Sequence, residues 1–145
     1  MVYCIVGDGE SQEGQVWEAI QSAAHYKADN FVVLLDDNKK QIDGNTCDIN
    51  DPLDFVEKFK AFGWEAFRTD GHDVEKLYAA LTRAKAVKSK PTAIICDTIK
   101  GLGADFAERA SFNHYMTIDS DMAAAAEAEI EARLAAGTYP GGDLL

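Results

Sequence analysis

Val6-Gly7-Asp8-Gly9-Glu10, with Asp36-Asp37-Asn38-Lys39-Lys40 downstream, decides how this chain is read. The first segment closes a short apolar run, Val2 to Val6, and the second closes another, Phe31 to Leu35; both read as buried strands. Between them, Glu13 to Lys27 carries Val16, Ala19, Ile20, Ala23 and Ala24 on one helical face. The unit is strand, helix, strand. Parallel strands joined by a crossover helix end at the same edge of the sheet, which places Asp8 beside Asn38 if the two strands are neighbours.

Ligands of open α/β sheets bind at that edge. Gly7 and Gly9 allow a sharp turn and a close backbone approach, and the following helix offers unpaired N–H groups suited to phosphate. A carboxylate inside a phosphate cradle would repel its ligand, so Asp8 requires an intervening cation. Mg²⁺ resolves the conflict, because it takes oxygen ligands in an octahedron and combines one or two protein groups with phosphates and water. The Asp8 carboxylate, the Asn38 amide oxygen and a backbone carbonyl just beyond would form the protein half. Two plainer readings compete. Gly-Asp-Gly is a common turn and Asp-Asp-Asn a common strand exit. A dinucleotide site would need a third glycine where Gln12 stands.

Gly-Asp-Gly followed by an Asn-containing strand end resembles the thiamine diphosphate motif. Gly7-Asp-Gly-Glu-Ser-Gln-Glu-Gly14 together with Asp36-Asp-Asn-Lys-Lys-Gln-Ile-Asp-Gly44 resembles the transketolase family in particular, and the similarity runs through Lys100-Gly-Leu-Gly103 to about His114. The resemblance implies an α/β fold, a parallel β-sheet with helices on both faces, forming part of the diphosphate-binding domain of the thiamine diphosphate-binding fold. It implies thiamine diphosphate as cofactor, with Mg²⁺, Ca²⁺ or Mn²⁺. Gly7, Asp8, Gly9, Glu10 and Asn38 would contact the cofactor, and Ile42 would pack on its thiazolium ring. Asp8, Asn38 and the Lys40 carbonyl would hold the metal. His114 would stand beside the diphosphate and the reacting substrate, in an Asn113-His114-Tyr115 context that replaces the family's more usual His-Gly.

Glu13 and Glu18 resemble the paired glutamates of the family, a network near the dimer interface leading towards the cofactor-activating glutamate of another domain. A carboxylate at Glu13 also complements a helix dipole. The resemblance implies transfer of a two-carbon ketol unit from a ketose to an aldose, with sugar phosphates as substrates. The pyrimidine-binding domain would come from a C-terminal transketolase subunit, the whole forming a dimer of heterodimers. A substantial segment precedes the first strand in the family, so the chain reads as a fragment, or Met1 as an internal residue or late start. Alternatives are another thiamine diphosphate enzyme, such as a deoxyxylulose phosphate synthase or a sulfosugar transketolase, and a truncated interaction module without catalysis.

With 145 residues, 47% of them hydrophobic and 27% charged, the chain can build one real core. A formal net charge of −11 argues against nucleic acid as partner, since phosphate backbones need basic surfaces. No apolar stretch approaches a membrane span, and the cytoplasm is the expected location. Cys4, Cys47 and Cys96 lack metal-ligand spacing and read as reduced core thiols.

Further along, Asp51-Pro52 predicts a helix start, Phe55, Val56, Phe59 and Phe62 its apolar stripe, and Gly63 its end. Trp64 to Arg68 predicts a third strand, Val74 to about Val87 a helix, and Pro91 to Asp97 a fourth strand. Phe106 to Met116 reads as irregular. His72, in an Asp-Gly turn, reads as structural, and the Gly101–Gly103 loop, taken without the resemblance, as plain loop. Trp17 and His25 read as packing or surface residues. Asp119-Ser120 caps an Ala-rich helix from Met122 to Ala136. The expected organisation is a partial α/β domain over 1–118, this helix over 119–137, and a tail over 138–145.

Overall fold

A computed structural model describes residues 1–138, so the expected tail lies almost wholly outside the described residues. In chain order the elements are β1 (Val2–Gly7), α1 (Gly14–His25), β2 (Phe31–Asp37), β3 (Lys40–Gln41), β4 (Gly44–Asn45), α2 (Thr46–Asn50), α3 (Phe55–Ala61), β5 (Glu65–Asp70), α4 (Val74–Ala86), β6 (Thr92–Asp97), α5 (Asp105–Glu108) and α6 (Ser120–Ala135).

Four strands form one parallel sheet in the order β1-β2-β6-β5. Gly7 pairs with Asp36, and Asp37 and Asp70 both pair with Asp97, so every strand runs out at one edge. β1 and β2 are neighbours, which is the condition that brings Asp8 and Asn38 together.

Side chains of successive strand residues point to opposite faces. Val6, Val33, Leu35, Ala66, Ala93 and Ile95 meet α1 and α3 on one face through Ile20, Phe55 and Phe59. Val32, Ile94 and Cys96 meet α4 on the other through Ala80 and Ala84. Fully burying Phe55 and Phe59, each 1% exposed, is worth about 1.5–3 kcal/mol apiece. The expected α/β sheet with helices on both faces is what forms.

Trp17 packs its ring on Phe59 and Phe62, at centroid distances of 5.7 and 5.5 Å, and donates its indole N–H to the Ser11 carbonyl. Trp64 closes the cluster from below and donates to the Ile20 carbonyl at 2.8 Å. Both indoles therefore bury their rings without orphaning a donor.

Several boundaries differ from expectation, each for a local reason. α1 stops at His25 because Lys27 takes a left-handed φ of 51°. The helix expected from Asp51-Pro52 begins at Phe55, since Leu53 also has a positive φ, of 56°, which no right-handed helix accommodates. Asp51 instead accepts the Leu53 N–H, and Asp54 is the true cap, accepting from Glu57 N. Trp64 precedes β5 rather than starting it, its N–H donating to the Phe59 carbonyl. Lys40-Gln41, for which no element was expected, is half of a two-residue-turn hairpin with Gly44-Asn45. The segment after Gly103 contains one short helix, α5, tied to α6 by the ion pairs of Arg133 with Asp105 and Glu108. Asp119 caps α6 as expected, accepting from Met122 N. His72 is structural, its Nε2 accepting the Ile99 N–H at 2.7 Å. Of the three free cysteines, Cys96 is buried and Cys4 half-buried, but Cys47 is exposed on α2 and is no core thiol.

Candidate functional site

The chain leaves β1 through a turn in which Asp8 is the fixed point. Its backbone N–H donates to the Asp36 carbonyl, extending the β1–β2 pairing one residue beyond the strand. Its own carbonyl accepts from Ser11 Oγ at 2.6 Å. The carboxylate is 1% exposed and accepts two backbone N–H groups, Gly9 on Oδ1 at 2.7 Å and Lys39 on Oδ2 at 2.6 Å. Thus the two motif segments, distant in sequence, are joined through one side chain.

Gly9 has φ −65° and ψ −40°, an ordinary right-handed conformation. Its glycine is demanded by space: a Cβ there would lie 2.8 Å from Gln41 Cβ on the hairpin. The close approach that the structure itself records is to β3, and the same residue lines a cavity at this edge of the sheet. Gln12 Nε2 reinforces the seam by donating to Gln41 Oε1 at 2.7 Å and to the Asn50 carbonyl at 3.0 Å. The Gly7 N–H points to an anionic oxygen, Glu10 Oε2 at 3.1 Å.

Asn38 donates through Nδ2 to Asp36 Oδ2 at 2.9 Å and accepts on Oδ1 from Lys40 N at 3.0 Å. Strand alternation separates the two adjacent acids. Asp36 faces the site, where Thr98 Oγ1 donates to it, whereas Asp37 points away and receives Arg68 Nη1 at 2.7 Å and the Lys39 ammonium. Arg68 also donates to Asp97 at 2.6 Å, so one guanidinium joins the ends of β2, β5 and β6.

A cavity of about 510 Å³ opens at this edge. Gly7, Asp8, Gly9 and Glu10 line it from the β1 turn, and Asn38, Lys40 and Ile42 from the end of β2 and the hairpin. Glu13 and His114 complete the rim. Glu18 is not among the lining residues: it is exposed, further along α1. The turn between β1 and α1 is one 3₁₀ turn, Glu10–Gln12, and α1 itself starts only at Gly14. Sequence reasoning left Lys100 without a role, yet it lines the cavity. Its signal was available: a lone cation on the glycine-rich exit of β6, at the edge where strands end.

Burial pushes the Asp8 carboxyl up from 3.8 to about 6, with Asp37 and Asp36 adding to the rise and the Gly9 and Lys39 N–H groups opposing it. A buried carboxylate under that pressure is stabilised by an adjacent cation. No group of three or more His, Cys, Asp or Glu suited to a metal occurs among the described residues. The expected donors are different: one carboxylate, one amide oxygen and one backbone carbonyl, all hard oxygens with lone pairs to spare. That donor set fits Mg²⁺ completed by phosphate oxygens and water.

Residues 1–134 match the family model described as the transketolase thiamine diphosphate-binding domain. The chain belongs to the transketolase family. The domain is 44% identical over 131 residues to a 6-deoxy-6-sulfo-D-fructose transketolase subunit of Clostridium sp. (strain MSTE9), covering 90% of this chain and 47% of that protein. It is 42% identical over 123 residues to human transketolase, covering 84% of this chain and 19% of that one. Among solved structures, transketolase from Leishmania mexicana superposes with a TM-score of 0.67 at 27% identity, over 92% of this chain and 23% of that one. This transketolase-family domain thus spans less than half the length of these relatives. No helix among its described residues is long and apolar enough to cross a membrane.

Proposed function

We propose that this domain is the diphosphate- and metal-anchoring part of an enzyme that transfers a two-carbon ketol unit from a ketose to an aldose. One observation carries the reading: Asp8, Asn38, Lys40 and His114, which come from three separate stretches of sequence, line a single cavity at the carboxyl edge of the parallel sheet. Bound there, thiamine diphosphate would supply the carrier for the two-carbon unit. Asp8, Asn38 and the Lys40 carbonyl would hold Mg²⁺, with Ca²⁺ or Mn²⁺ as substitutes of the same oxygen preference.

Gly7 and Gly9 with Glu10 shape the diphosphate wall. The Gly7 N–H, now given to Glu10, would pass to a phosphate oxygen, and the Lys100 ammonium would offset its charge. Ile42, 51% exposed on the turn of the hairpin, offers an apolar face to the cofactor ring. His114 is exposed and lines the same cavity, and would exchange a proton with a substrate hydroxyl.

Glu13 and Glu18 have no side-chain hydrogen bonds among the described residues, which suits carboxylates that meet a partner surface. The partner would be a chain or segment carrying the pyrimidine-binding domain, in a dimer of such pairs, and the cytoplasm is the matching compartment. Sugar phosphates are the substrate class. The similarity to a sulfosugar transketolase subunit favours a sulfonated ketose as the second candidate donor.

The test is calorimetric titration of thiamine diphosphate, with and without Mg²⁺, into the chain co-purified with a pyrimidine-binding half. Metal-dependent binding that disappears in Asp8→Ala and in Asn38→Ala supports the anchor. No binding by the wild-type complex refutes it and leaves the interaction-module reading.

A further inference from the structure

The proposed function, on which this inference rests, uses the Lys40 carbonyl and leaves the Lys40 side chain without work. That side chain does not extend into solvent. Its ammonium donates to the Ala110 carbonyl at 2.6 Å, seventy residues away in sequence. Ala110 belongs to the stretch between α5 and α6 that carries His114, a strap with no regular backbone hydrogen bonding of its own from Ala110 to Asp119.

What holds this strap is therefore a small set of side-chain contacts. Asn113 Nδ2 donates to the Ala107 carbonyl at 2.8 Å and to the Lys100 carbonyl at 3.2 Å, fastening the strap to the glycine loop beyond β6. On the hairpin side, the Phe112 ring lies against Gly44, within 3.9 Å of where a Cβ would stand. Lys40 supplies the polar attachment between strap and hairpin. A segment with so few backbone hydrogen bonds opens locally unless such tethers are made.

We propose that the Lys40 ammonium is a positioning residue that couples the cofactor hairpin to the His114 strap. The backbone of Lys40 is already bound to Asn38 Oδ1, so the same residue touches the metal-side amide with its N–H and the strap with its Nζ. A ligand that settles on Asn38 and Ile42 then also fixes His114, because the hairpin cannot shift without drawing the strap with it. Losing the ammonium would uncouple the two while leaving the backbone carbonyl of residue 40 in place.

The experiment is hydrogen exchange followed by mass spectrometry, together with limited tryptic cleavage after Arg109, on the full chain as wild type, Lys40→Met and Lys40→Arg. Without cofactor, Lys40→Met is expected to exchange and cleave in the 109–116 region roughly tenfold faster, the scale of one charge-assisted hydrogen bond, with Lys40→Arg restoring most of the protection. Equal protection in wild type and Lys40→Met overturns the tether. With the pyrimidine-binding half, thiamine diphosphate and Mg²⁺ added, the wild type is expected to gain protection in both hairpin and strap, and Lys40→Met in the hairpin alone. Strap protection in Lys40→Met equal to wild type overturns the coupling. Hairpins that gain nothing even in the wild type refute the cofactor reading, and the comparison without cofactor still decides the tether.

Discussion

Replacing Asp8 by asparagine separates the requirement for stability from the requirement for ligand. The Asp8 carboxyl titrates near 6 in the fold against 3.8 when unconstrained, so the folded chain binds this proton more tightly than the unfolded chain. Its contribution is harmless below the lower value, where both states are protonated, and stability is lost as pH rises towards and through the higher one. The full penalty above the window is about 3 kcal/mol, of which about 1.4 kcal/mol develops between about pH 5 and about pH 7.5. Asparagine keeps the shape and drops the charge. It also turns an amide N–H₂ towards either the Gly9 or the Lys39 N–H, a mismatch costing about 1–3 kcal/mol at every pH.

The absolute stability of Asp8→Asn is therefore near that of wild type at neutral pH, and the informative quantity is the difference between the two proteins. Urea denaturation at both pH values should show Asp8→Asn gaining about 1.4 kcal/mol relative to wild type as pH rises, since the other titrating groups cancel in the comparison. With thiamine diphosphate and Mg²⁺ at a hundredfold over Kd, the wild-type complex should gain about 2.7 kcal/mol and the variant complex nothing. A wild-type-to-variant difference that stays flat with pH would refute the argument that burial strains this carboxylate.

Gly9→Ala sets a methyl against Gln41 Cβ, and forcing the turn and hairpin apart should cost about 1–3 kcal/mol in thermal melts and weaken cofactor binding in calorimetry. Phe59→Ala empties the ring that Trp17 and Trp64 pack upon, and urea denaturation should register a loss of about 3–5 kcal/mol. Alkylation by iodoacetamide, followed by mass spectrometry, should label Cys47 first and Cys96 last, because burial pushes the Cys96 thiol up to about 11 and thiolate is the reacting form.

The sheet was legible wherever apolar runs ended in glycine or aspartate, since β1, β2 and β6 each announce a buried strand and its exit. The crossover rule put the ends of β1 and β2 at one edge and left their adjacency as a condition, which the β1–β2 pairing meets and which brings Asp8 to Asn38. What escaped was local backbone chemistry. Leu53 has a left-handed φ that no composition signals, so the helix start moved from Asp51 to the second available cap, Asp54. The hairpin at Lys40–Asn45 is held by only two residues a side, too few to show a period. The Lys40 tether depends on where the strap folds back in space, and single-chain patterns carry no such information. Gly9 carries a second constraint that the sequence did not show, because crowding by Gln41 leaves no trace in the local pattern.

The Arg68 contact to Asp37 and Asp97 has a bearing on alignment. Asp36 and Asp37 are consecutive, chemically identical and on opposite faces of β2, so a slip of one residue would present the wrong acid to the cavity with no change in composition. Only the in-register strand sets Asp37 within reach of Arg68 while Asp36 meets Thr98. The guanidinium thus acts as a vernier mark: a slip that brought Asp37 to the cavity would set Asn38 against Arg68 and lose the β2 ion pair, so the contact favours one position of the binding edge.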